Sequence, residues 1–180
     1  MSVIIVTASK DVDNGDLSKD NISLREAISL ANDRPGFDRI EFADHIDTIR
    51  LRDALPRIND DLRLVGGGDV VLDANADPSS GEHRRALDIG GHSREIEVTI
   101  KDLTITGGDA GDPVGGGGVR SGQTADLAIV DCTIAGNRGE RGGGNSFGGR
   151  THYSSLHRVR KLQRVRRRDT RKRRSHSASH

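Results

Sequence analysis

The stretch VTIKDLTITGG, residues 98–108, lines up with LAIVDCTIAGN, residues 127–137, at an offset of 29. Ile100 meets Ile129, Asp102 meets Asp131, Thr104 meets Thr133, Ile105 meets Ile134 and Gly107 meets Gly136. A glycine cluster follows each copy, at 115–118 and at 142–144. A period in the twenties with several short strands per copy is the pattern of a solenoid. One turn of such a chain buries little alone and gains its core by stacking on the next. Inside each copy the alternation slips once. Val98 and Ile100 share one face, Leu103 and Ile105 share another, and the phase changes at Lys101-Asp102. A period-two pattern cannot slip without a bend. Asp102 and Asp131 are therefore expected at equivalent corners, stacked as neighbours.

Outward from this pair, short β-like pieces recur: residues 39–43, 48–51, 62–66, 70–74, 86–90, 96–100, 103–107, 127–130 and 132–136, most of them separated by Gly, Asp, Asn or Pro. Residues 2–9, SVIIVTAS, are β-branched and predict a further strand. One segment breaks the rule. In SLRE, Ser23 and Glu26 have the spacing of a capping box, in which each side chain bonds the other residue's amide. Leu24, Ala27, Ile28 and Ala31 then recur at helical spacing. The run from Asn32 to Gly36, with Pro35, ends that helix. Strands this short and numerous argue against an α/β fold.

The composition agrees with a turn-rich β protein. The 180 residues include 23 glycines, and aromatics are 2% with no Trp, so the core must be aliphatic. Cys132 is the only cysteine, which excludes an internal disulfide and a Cys-based metal site. Its alignment with Leu103 predicts an inward, inert thiol. No apolar run approaches the ~18 residues of a membrane span. The N-terminus, MSVIIVTASKD, lacks a basic leader and a long apolar stretch, so no export signal is expected in it.

The run ISLREAISLAN, followed by PGFDRIEF, TIRL, ALPRI and LTITGG, resembles the start of bacterial surface proteins that carry a CSLREA-type domain. The resemblance spans roughly residues 3–144 and departs at Ile22, where the family has cysteine. It implies an all-β solenoid: a right-handed parallel β-helix similar to that of pectate lyases, with the α-helix capping its N-terminal end. It also implies an extracellular or cell-surface location and a structural or adhesive role. The partner would then be a polysaccharide or another cell-surface component.

Three chemistries compete with a purely structural reading. Asp102 and Asp131, with Lys101 beside them, could supply the acid pair and base that sugar cleavage needs, as in a polysaccharide lyase or hydrolase. A recurring corner Asp also satisfies turn amides, and that role is the expectation here. Asp109 and Asp112 in GGDAGD could contribute to a calcium site, but two carboxylates fall short of the ~6–8 oxygens calcium takes. Ala110 also breaks the β-roll register. No cofactor is expected. LVGGGD, residues 64–69, lacks the spacing of a phosphate loop and predicts a turn. His45, His83 and His92 are scattered.

The last part of the chain changes character. Residues 147–180 hold 12 Lys or Arg and one acid, Asp169, whereas residues 1–146 hold 16 bases and 26 acids. The domain organisation expected is therefore a cap and first coils over 1–146, then a basic low-complexity tail over 147–180. Such a tail cannot bury a core and is expected to be disordered. The repeat calls for an aliphatic strand after 142–144, as Val119 follows Gly118, and the sequence offers FGGRTHYSS instead. Two readings follow. Either the tail is a basic arm for non-specific nucleic-acid or anionic-surface binding, or the reading frame shifts near codon 147 and the protein is a truncated fragment. The second is preferred. It leaves the last coil uncapped and the chain monomeric or aggregation-prone.

Overall fold

The structure is a computed structural model that describes residues 1–18, 20–77, 79–90, 94–111, 115–139, 145–148, 150–154 and 158–159. It is mostly parallel β-sheet with one short helix. In chain order the elements are β1 (Ser2–Val6), α1 (Leu24–Asn32), β2 (Asp38–Phe42), β3 (Thr48–Arg50), β4 (Leu62–Val65), β5 (Val71–Asp73), β6 (Leu87–Ile89) and β7 (Ile96–Lys101). They continue with β8 (Thr104–Thr106), β9 (Val119–Ser121), β10 (Ala125–Val130), β11 (Thr133–Ile134), β12 (Asn145–Phe147), β13 (Thr151–Ser154) and β14 (Arg158–Val159).

The strands form three sheets, in the orders β1-β2-β4-β7-β10-β13, β3-β5-β8-β11-β14 and β6-β9-β12. Every pairing between these strands is parallel. The chain visits the sheets in a fixed rotation. β4, β5 and β6 fall one in each sheet, and so do β7, β8, β9 and then β10, β11, β12. Two single-residue bridges occupy places in that rotation where no strand stands. Lys10 bridges Arg50 on the second sheet, and Ile58 bridges Ile89 on the third.

The register is the one the internal repeat predicts. Ile100 pairs with Ile129, and Thr104 and Ile105 pair with Thr133 and Ile134. Parity then sets the burial. Ile4, Ile40, Leu64, Ile100 and Ile129 form one inward column of the first sheet, all buried. Ile49, Leu72, Ile105 and Ile134 do the same on the second. All nine belong to a single aliphatic cluster that also takes Leu87, Ile89 and Val119 from the third sheet. Branched aliphatics stacked on like residues pack tightly without aromatic bulk, which is how a chain this poor in aromatics has a core. The outer neighbours, such as Arg63, Thr99 and Ala128, are less buried.

α1 begins where the capping box places it. The Ser23 hydroxyl accepts from the Glu26 amide at 3.2 Å, and the Glu26 carboxylate accepts from the Ser23 amide at 2.9 Å. Leu24, Ala27, Ile28 and Ala31 are buried. The helix packs on β1 and β2. Among the described residues no helix is long and apolar enough to cross a membrane.

Parallel pairing runs on past the expected start of the tail. Ordered pairing does not stop at residue 146. β12 pairs with β9, β13 with β10 and β14 with β11, so the rotation continues to Val159. A strand does follow the glycine cluster, with Asn145 in the register position of Val119. Backbone hydrogen bonds define a parallel ladder, and they do not require apolar side chains. Residues 160–180, most of the expected tail, lie outside the described residues.

Candidate functional site

The corner aspartates are where the slipped alternation puts them. Asp102 joins β7 to β8 and Asp131 joins β10 to β11, with left-handed φ values of 53° and 51°. The Asp102 amide donates to the Val130 carbonyl at 3.1 Å, so the two corners stack. Asp tolerates this conformation better than most residues, which explains its recurrence. Lys101 Nζ lies 2.6 Å from Asp102 Oδ2. Lys101 and Asp102 thus form an ion pair, and Asp131 sits exposed on the neighbouring corner.

Beneath them LVGGGD forms the matching corner between β4 and β5. Any Cβ at Gly66 would collide with the Asp102 carbonyl and the Leu103 side chain. Glycine is needed there for close stacking. Cys132 follows Leu103 in the inward column at this corner and is fully buried. Burial pushes its thiol up in pKa, which makes it a weak nucleophile.

The Asp109 carboxylate is committed to a local turn. Its Oδ1 accepts from the Gly111 amide at 2.9 Å and lies 3.4 Å from His83 Nδ1. Asp112 and His92 lie outside the described residues. Asn137, which sequence reasoning did not single out, is fully buried. Its Oδ1 accepts from the Gly108 amide at 2.8 Å, and its Nδ2 donates to the Ile105 carbonyl at 3.0 Å. This asparagine ties one repeat to the next.

A second region was not foreseen. An open cleft of about 680 Å3 lies where the Lys10 bridge meets β3, and its lining includes Ser9, Lys10, Thr48, Arg50, Arg52 and Asn75. Its walls are fixed by two arginine clamps. Arg25, the R of SLRE, bonds both Asp11 oxygens at 2.9 and 2.8 Å and donates to the Ala54 and Asp53 carbonyls at 2.6 and 3.0 Å. Asp11 also accepts from the Arg52 amide at 2.7 Å. On the other side, buried Arg84 donates to the Ala74 and Asn75 carbonyls at 2.9 and 2.8 Å. The guanidinium fork suits such multiple contacts.

The electrostatics of the clamp follow from its bonds. Burial raises the Asp11 carboxyl, but Arg25 and the amides of Arg52 and Asp53 outweigh it and hold the group below its ordinary value. Glu26 behaves alike: burial raises it, and Ser23 with the amides of Asn14 and Gly15 brings it below. Local sequence signals identify the capping box but not the cleft, because its cations come from segments about 40 residues apart that the parallel bridge and the Asp11 contacts join.

No family model, no curated protein and no solved structure matches this chain.

Proposed function

We propose that the three parallel sheets are the faces of a right-handed parallel β-helix, and that the chain is a module of a surface-exposed or secreted repeat protein. Its role is structural or adhesive rather than catalytic. The observation that carries this reading is the fixed rotation of the chain through the sheets, with the same inward columns at each pass. Solenoids gain stability from neighbour to neighbour, and a stacked array offers a long outer surface for contacts. The SLRE residues support the same reading. Ser23, Arg25 and Glu26 all spend their polar groups on holding the first pass together.

Duplicating residues 98–126 in tandem tests the architecture. A repeat array accepts the insert, melts cooperatively and lengthens by about 4.8 Å, one strand spacing. Loss of folding would argue against it. Antibody labelling of intact cells tests the location: signal is expected without permeabilisation, and signal only after permeabilisation would sink the surface role.

A further inference from the structure

The cleft between the Lys10 bridge and β3 concentrates positive charge. Parallel pairing of Lys10 with Arg50 sets their backbones about 4.8 Å apart. Leu51 is buried, so Arg50 and Arg52 on either side of it both face outward, about 7 Å apart. The backbone positions that carry the three cations thus lie within roughly one Debye length of ~8 Å in physiological salt. Little opposes them. Among the described residues, the Lys10 and Arg52 side chains have no ion-pair partner. Arg50 has only Asp73, at 3.3 Å, with its own side chain 67% exposed, and such surface pairs are weak. Asp11, the acid at the cleft wall, is already committed to Arg25 and to backbone amides.

We propose that this cleft binds an acidic oligosaccharide, with its carboxylate or sulfate groups held by Lys10, Arg50 and Arg52. Three features select that chemistry. The cations give charge-assisted hydrogen bonds to anionic oxygens. The Ser9 and Thr48 hydroxyls and the Asn75 amide line the same space and match the hydroxyls of a sugar. The cleft volume, about 680 Å3, suits a ligand of several rings, not a lone inorganic anion. No aromatic side chain lines it, so bases of a single-stranded nucleic acid have nothing to stack on. The Arg25 and Arg84 clamps hold the walls before the ligand arrives, which lowers the ordering cost of binding. Such a ligand rests on the surface setting proposed above for its source, whereas binding itself is read on purified protein and does not depend on location.

The test uses the full chain and its Lys10→Ser/Arg52→Ser double variant, so that the charge of residues 147–180 is the same in both. Titration calorimetry would compare an oligogalacturonate hexamer, a heparin-derived hexasaccharide, a neutral maltohexaose and a single-stranded hexanucleotide. Both acidic sugars or one of them should bind, which also tells carboxylate from sulfate, and the neutral sugar should not. The double variant should lose at least roughly tenfold in affinity, as expected for losing charge-assisted contacts, with its melting temperature unchanged. Amide shifts on binding should fall at residues 9–12 and 50–52. Equal affinity in the variant, no binding by either acidic sugar, or tighter cleft binding by the hexanucleotide would each overturn the proposal.

Discussion

The first and last passes of the chain use the same ladder with different contents. At the N-terminal end β1 and β2 pair through Ile4 and Ile40, α1 packs on both, and Glu26 bonds the Ser23 amide and Asp11 bonds Arg25. At the other end β13 pairs with β10 just as regularly, but Thr151 takes the register position that Leu127 and Val98 hold before it. The Thr151 hydroxyl is buried and, among the described residues, has no hydrogen-bond partner. Backbone pairing therefore propagates further than side-chain complementarity does. Ladder and core are separable.

The largest break in this comparison should come from Arg25→Ala. It leaves the Asp11 carboxylate, whose side chain is 1% exposed, without its cation. Removing one partner of a buried pair costs about 3–5 kcal/mol, to be read as a lower urea midpoint. The same clamp has a pH signature. Asp11 and Glu26 are held below their ordinary values in the folded chain. The folded state therefore binds fewer protons than the unfolded one around those values. Their stabilisation is present above about pH 4.5 and is lost as the pH falls through about 4 and below. Urea midpoints between pH 6 and pH 3 should drop in that window, and less steeply in the Arg25→Ala variant. A flat profile in the native chain would contradict the clamp.

Ile129→Ala, in the inward column one pass before the weak end, should cost about 2–5 kcal/mol. Thr151→Val sharpens the contrast from the other direction. It removes an unsatisfied buried hydroxyl at nearly constant shape and should stabilise by about 1 kcal/mol, seen as a rise in melting temperature. A fall there would mean that the hydroxyl is satisfied. The smallest effect concerns the last Asp corner. Asp131→Gly should be within about 0.5 kcal/mol of the native chain, while Asp131→Ala loses about 1 kcal/mol because alanine fits left-handed φ poorly. A clear loss in both variants alike would argue that the carboxylate itself matters.

What could be read in the sequence follows the same division. The helix start, the corner at Asp102 and the register of Ile100 on Ile129 were legible because each is written locally, as a cap, a phase slip or a repeat. β12 to β14 were not. Asn145, Thr151 and Arg158 have no apolar periodicity, and their pairing is imposed by the strands beside them. The cleft was illegible for a related reason. Lys10 stands at the end of a strand-like run and Arg52 in a bend, and nothing local to either reports that a parallel bridge joins their segments. The turn that the Asp109 carboxylate closes onto the Gly111 amide was not read from the sequence either.

The ladder positions Ile4, Ile40, Leu64, Ile100 and Ile129 are 36, 24, 36 and 29 residues apart, yet they occupy one column. Chain length between passes is thus uncoupled from phase. Heritable change in such a molecule comes in two kinds. A substitution in a column is felt by the residues stacked on either side, and selection must judge it against them. An insertion between passes, for instance at exposed Gly81, leaves every column in place and meets no such neighbours. The protein can therefore grow new surface by lengthening its connections while the inherited interior stays as it is.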